Sequence, residues 1–127
     1  NFKAPFALSQ AFARRCESGQ IVNLLDAKIA RAHTPYFAYQ ITKKALEAFT
    51  DLAAKALAPR IRVNAVCPGL ILAPPGAPAD ALEKIAARVP LKRTGSPEAV
   101  ARAVLFLVEN DYVTGQSVFV DGGEHLT

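Results

Sequence analysis

The chain has 127 residues, 51% of them hydrophobic, and its 15 Lys and Arg against 11 Asp and Glu leave a net charge of +4. That length is one domain, able to bury roughly two thirds of its surface, and the composition is that of a globular protein, not a disordered or collagenous one. Apolar runs such as AVLFLV at 103–108 are far too short to span a bilayer. The basic clusters (RR at 14–15, KK at 43–44, LKR at 91–93) lack the interleaved aromatics of a nucleic-acid surface.

In chain order, Pro5, Phe6, Leu8 and Phe12 recur at helical spacing and predict an amphipathic helix over 4–15 rather than a signal peptide. QIVNLL at 20–25 is a short continuous apolar run after Gly19, as expected of a strand covered on both faces. From Phe37 the series Ala45, Leu46, Phe49, Leu52, Ala53, Ala56 repeats every three or four residues, a helix over 37–58 that Pro59 closes. IRVNAVCPG at 61–69 is a second buried strand, followed by a loop over 70–78 rich in breakers and expected to cover a ligand. Asp80 and Glu83 predict a capping box for a short helix; Ser96 and Pro97 begin another that runs to Glu109; QSVFVDGG at 116–123 is a third strand.

Helices alternating with short buried strands give an α/β class, a Rossmann-like doubly wound parallel sheet. Three strands are few for such a fold, because the 20–25 strand would be left with an open edge. The chain also opens on a helix with no strand before it, and it contains no GxGxxG loop. The expectation is therefore the C-terminal portion of a larger fold. Cys16 and Cys67 make no CxxC pair or framework, so a reducing cytoplasm is expected, and neither His33 nor His125 stands at metal-ligand spacing, so no metal is expected.

Tyr39 and Lys43 lie four apart on the second helix and share a face. An ammonium close to a phenol favours the phenolate and lowers a pKa that is ordinarily near ~10, which would fit the tyrosine for general acid work. Alone the pair is also compatible with a solvated helix face. Its setting is more specific. NFKAPF (1–6), IVN (21–23), YQITKKAL (39–46), LAPRIRVNAVCPG (57–69), PLKRTGSPEAVARAVLFL (90–107) and TGQSVFVDGG (114–123) stand in one order along nearly the whole chain.

On these segments the chain resembles the C-terminal half of the short-chain dehydrogenase/reductase family, whose subunits are about twice as long and carry the cofactor loop in the half not represented in residues 1–127. The resemblance implies Tyr39 as proton donor, Lys43 as ligand of the nicotinamide ribose and partner of Tyr39, and Asn1 as holder of a water on the proton relay. It implies that Pro68 and Gly69 shape the turn whose following residues, Leu70, Ile71 and Leu72, meet the carboxamide of NADPH. It also implies a homotetramer built through the helices at 4–15 and 37–58.

Where the family usually has a serine about a dozen residues before the tyrosine, position 26 is aspartate. In this the chain is most similar to the pteridine reductases, and Tyr36 matches a pocket tyrosine of that branch. A carboxylate accepts hydrogen bonds from an amino-pyrimidinone edge and can relay a proton to a ring nitrogen, which serine does poorly. The implied reaction is NADPH-dependent reduction of a pterin or dihydropterin, with Asp26 and Tyr36 on the substrate. The alternatives are a carbonyl or 3-oxoacyl thioester reductase in which Asp26 only caps a turn, and a non-catalytic chain that keeps the fold for assembly. Asn23 and Asn64 can tie strands to loops, and Cys67 reads as a small buried filler.

Overall fold

A computed structural model describes every residue except His33, Thr34, Pro74 and Ala79. Those four, and with them the reading of His33 and parts of the 70–78 loop, lie outside the described residues. The order of elements is α1 (Lys3–Arg15), β1 (Gly19–Leu24), a 3₁₀ turn (Ala27–Ala30), α2 (Phe37–Leu57), β2 (Ile61–Pro68), α3 (Ala81–Ala86), α4 (Pro97–Glu109), β3 (Ser117–Val120) and a last 3₁₀ turn (Glu124–Leu126). The three strands form one parallel sheet in the order β1-β2-β3, with Asn23 opposite Ala65 and Val66 opposite Val118.

β2 is central, and its alternation explains the two helical layers. Ile61 and Val63 pack with Ala53 and Ala54 of α2, and Ala65 and Cys67 pack with Leu46 of α2 and with Leu25 and Ile29. Arg62 and Asn64 point the other way. The Arg62 guanidinium donates to the carbonyls of Leu107 (2.9 Å) and Val108 (3.1 Å) at the end of α4, satisfying acceptors a helix leaves open there. Asn64 holds the loop before β3, donating to the Val113 carbonyl and accepting from Gln116 N–H. Asn23 donates to Thr50 Oγ1, which in turn donates to the Leu46 carbonyl, so this buried polar chain is satisfied and ties β1 to α2. Asn64 thus ties its strand to a loop, as expected, whereas Asn23 ties its strand to a helix.

Two local expectations need correction. Asp80 makes no side-chain cap at α3; its carboxylate instead pairs with Lys84 at 2.6 Å, one turn on, so no capping box forms. The third strand is four residues, not eight, because Gly122 and Gly123 both take positive φ and turn the chain out of the sheet. The Ser96 cap is as expected, accepting from Ala99 N–H with Pro97 at the first helical position. The outer side of β1 is an open edge, and Leu24 there is 53% exposed.

Candidate active site

All three strands run the same way, so β1 ends at Leu25–Asp26, β2 at Pro68–Gly69 and β3 at Asp121 on one side of the sheet. Ligands of doubly wound sheets bind beyond this side. Asp26 leaves β1 in an extended conformation and caps the 3₁₀ turn, Oδ1 accepting from Lys28 N–H at 2.8 Å. Its other oxygen, Oδ2, accepts from the Tyr39 hydroxyl at 2.8 Å. The turn is fastened to α2 on the same side. Gln40 donates to the carbonyls of Lys28 and Arg31, and Lys44 to that of Ile29. These bonds hold the carboxylate against the phenol.

One turn further along α2, Lys43 is buried and donates to the Leu24 carbonyl at 2.7 Å, with its ammonium 5.7 Å from the Tyr39 ring centre. Burial lowers its pKa, an effect opposed by the negative charge of Asp26 and by Cys67. Tyr39 departs from the expectation. Its pKa lies well above the ordinary phenol range, first through burial, then through its hydrogen bond to Asp26 and the charge of that carboxylate. Asp26 is in direct contact, while the hydrogen bond of Lys43 goes to a carbonyl rather than to the phenol. The phenol is therefore protonated through the neutral range, and it is a weaker acid than a free tyrosine.

The remaining sequence candidates fall into two groups. Asp26, Tyr36, Gly69, Leu70 and Leu72 line one cavity of about 330 Å³ together with Lys28, Glu124 and the start of α3. Tyr36 stands at the N-cap of α2 in the left-handed region (φ 66°), with the Lys28 ammonium 5.4 Å from its ring centre. Ile71 and Asn1 are not brought into this cavity. Ile71 packs beside Gly95. Asn1 is exposed, although its neighbour Phe2 packs on the cluster of Leu25 and Ile29, close to the same end of β1. Pro68 ends β2 immediately before the turn. A larger cavity of about 520 Å³ lies beyond β3, between Phe119 and the 90–95 segment, and Asp26 does not line it; Tyr39 and Lys43 stand behind Asp26 and line neither cavity.

The turn at Gly69 cannot carry a side chain. A Cβ there would stand 2.5 Å from Asp121 Cβ and 2.7 Å from both Asp121 Cα and a Glu124 carboxylate oxygen. Asp121 is itself pinned, accepting from Gly123 N–H, His125 N–H and His125 Nδ1. Gly69→Ala is expected to destabilise the fold by about 1–3 kcal/mol through overpacking, a shift readable in the midpoint of urea unfolding. Cys67 is fully buried, and desolvation pushes its thiol pKa up to about 12, so it is an inert filler as read.

A family model described as enoyl-(acyl carrier protein) reductase matches residues 1–125. The chain belongs to the short-chain dehydrogenase/reductase family. Among curated relatives it is 42% identical to granaticin polyketide synthase putative ketoacyl reductase 2 of Streptomyces violaceoruber, over 88% of this chain and 47% of that protein. It is 39% identical to pteridine reductase 1 of Leishmania tarentolae, over 100% of this chain and 48% of that protein. Among solved structures it superposes on FolM alternative dihydrofolate reductase 1 from Brucella suis, a complex with NADP, with a TM-score of 0.93 and 34% identity, covering 98% of this chain and 52% of the other. The chain thus spans about half the length of these relatives.

Within this short-chain reductase fold, three site residues escaped the sequence reading: Lys28, Asp121 and Glu124. Lys28 follows Asp26 by two and was legible only as a scattered charge. Asp121 and Glu124 flank the GlyGly pair and read as part of a terminal motif; only the folded turn brings them against Gly69. Burial raises the Glu124 pKa, with Lys28 acting in the opposite direction. No group of three or more His, Cys, Asp or Glu among the described residues could hold a metal ion, and no helix among them is long and apolar enough to cross a membrane.

Proposed function

We propose that these residues form the C-terminal half of a cytoplasmic NADPH-dependent short-chain reductase subunit that reduces a pterin or dihydropterin. The observation that carries this reading is the Asp26 carboxylate, which lines the cavity beside Tyr36 while accepting the Tyr39 phenolic proton at 2.8 Å. A heterocycle with an amino-pyrimidinone edge offers N–H donors to such a carboxylate, whereas a ketone offers only an acceptor.

The site fits the nicotinamide end of NADPH. Lys43 uses one of its three donors on the Leu24 carbonyl, leaving capacity for ribose hydroxyls, and Gly69, Leu70 and Leu72 line the cavity beside Asp26. Tyr39, Lys43, Pro68, Gly69, Leu70, Ile71 and Leu72 would hold it; the phosphate contacts would come from the other half of the subunit. NADPH supplies the hydride when bound. What the chain's own residues supply is the proton. Tyr39 O–H breaks as a substrate ring N–H forms, and Asp26, already hydrogen-bonded to the phenol, orients the ring and replaces that proton from solvent. Asn1 would hold a water on that route. Assembly as a homotetramer would use the α1–α2 face, where an apolar groove runs between Phe6, Ala13, Phe49, Leu52, Ala56 and Leu57.

The second reading, a carbonyl or 3-oxoacyl thioester reductase, is favoured by one observation: Asp26 caps the 3₁₀ turn, a structural task sufficient to retain it. A direct competition separates the two. With the complete subunit and NADPH, dihydrobiopterin is expected to be consumed ahead of acetoacetyl thioester at equal concentration. Preferential consumption of the thioester would replace the pterin reading with the second.

A further inference from the structure

Beside the Asp26 cavity lies a second one of about 230 Å³, and the two share Lys28, Ile85 and Glu124 as a common wall. Its remaining charged lining is basic: Arg31 at the end of the first 3₁₀ turn and Arg88 just after α3. Neither guanidinium has an ion pair or hydrogen bond among the described residues, in contrast to Arg60 and Arg62, which are spent on backbone carbonyls. Both are carried on fixed backbone. Arg31 N–H donates to the Lys28 carbonyl, and Gln40 donates to the Arg31 carbonyl; Arg88 N–H donates to the Ile85 carbonyl. His125, also in the lining, directs Nδ1 to Asp121. Among the lining side chains three cations stand with one carboxylate, Glu124, which Lys28 already faces; Asp26 and Asp121 act on Glu124 from outside the lining, so Arg31 and Arg88 are the two cations left for a ligand.

We propose that this groove is an anion subsite of the active site: it takes a carboxylate- or phosphate-bearing arm of a substrate whose reacting ring sits at Asp26 and Tyr39. This rests on the reading that the reacting group occupies the Asp26 cavity, and it adds a substrate class, molecules with a charged arm several bonds from the reduced centre. Guanidinium forks suit both carboxylate and phosphate, so the arm could belong to a pterin with an acidic tail or to a thioester on a phosphate-bearing carrier.

The test uses the complete subunit saturated with NADP⁺ and isothermal titration of two matched pairs. Dihydrofolate and dihydrobiopterin share a pterin and differ in the anionic arm; acetoacetyl-CoA and acetoacetyl-N-acetylcysteamine share the 3-oxoacyl group and differ likewise. In whichever pair binds, the armed member is expected to bind more tightly, and more so at low salt. The double variant Arg31→Ala, Arg88→Ala should weaken the armed member about tenfold and leave the armless one within twofold, since each exposed charge pair is a modest contribution. Arg88→Glu should weaken it further than Arg88→Ala. Unchanged binding of the armless partner serves as the check on folding. The proposal is overturned if neither pair prefers its armed member, or if the double variant weakens both members equally or neither. Binding confined to the thioester pair would end the pterin reading while leaving the subsite intact.

Discussion

Replacing Tyr39 by phenylalanine in the complete subunit should lower turnover by about two to four orders of magnitude while leaving NADPH binding within a few fold. The change removes a single oxygen and with it the phenolic proton that Asp26 accepts in its hydrogen bond. The ring, its place on α2 and the Lys43 ammonium above it all remain, so the loss is chemical rather than architectural. The pKa direction sharpens this expectation. Burial and Asp26 both hold the Tyr39 proton on oxygen, so the phenol stays protonated across the neutral range and no basic limb from its ionisation is expected there, although the same two causes make it a weaker acid than a free tyrosine. Lys43 can assist only by offsetting the charge left on oxygen after transfer. Near-normal turnover of Tyr39→Phe with the best substrate, measured under single-turnover conditions, would remove Tyr39 from its role.

Much of the fold was legible because its signals are local. The period of α2, the Ser96–Pro97 start of α4 and the Pro-Gly end of β2 each depend on a few neighbouring residues, and each is where the sequence places it. The Asp80 capping box failed for a physical reason: Lys84, one turn on, offers the same carboxylate an ion pair. β3 came out short because the positive φ of Gly122 and Gly123, not hydrophobicity, decides where it stops.

The site divides along the same line. Asp26, Tyr39 and Lys43 sit on an approach that can be read along the chain, strand end to helix, and the structure brings Asp26 and Tyr39 into contact. The direction of the Tyr39 pKa could not be read, because it depends on which neighbour is in contact, and a separation of four residues does not reveal that Lys43 turns to the Leu24 carbonyl. Glu124 and Lys28 meet across about three quarters of the chain length and have no sequence signature at all.

The identity of position 26 carries the account's central claim, and Asp26→Ser tests it with little disturbance to the fold. Serine is as good a cap as aspartate, so the bond from Lys28 N–H can be kept, and the fastening of the turn by Gln40 and Lys44 does not involve the changed side chain. What is lost is the carboxylate in the cavity. A charge-assisted hydrogen bond is worth roughly 1.5–3 kcal/mol, so the specificity constant for a dihydropterin should fall about ten- to hundredfold, with a further loss in kcat if Asp26 relays the proton. The Tyr39 pKa should move down, since two of its three upward causes come from Asp26. For a ketone the substitution should help, because serine can donate to a carbonyl oxygen that an ionised carboxylate repels. The decisive measurement is therefore kcat/KM of the complete wild-type subunit and of Asp26→Ser, each with dihydrobiopterin and with a small ketone. The account predicts a crossover, with the wild type favouring the pterin and the serine variant shifted towards the ketone. A wild type that ignores pterins and reduces the ketone well, with Asp26→Ser changing both substrates alike, would contradict it.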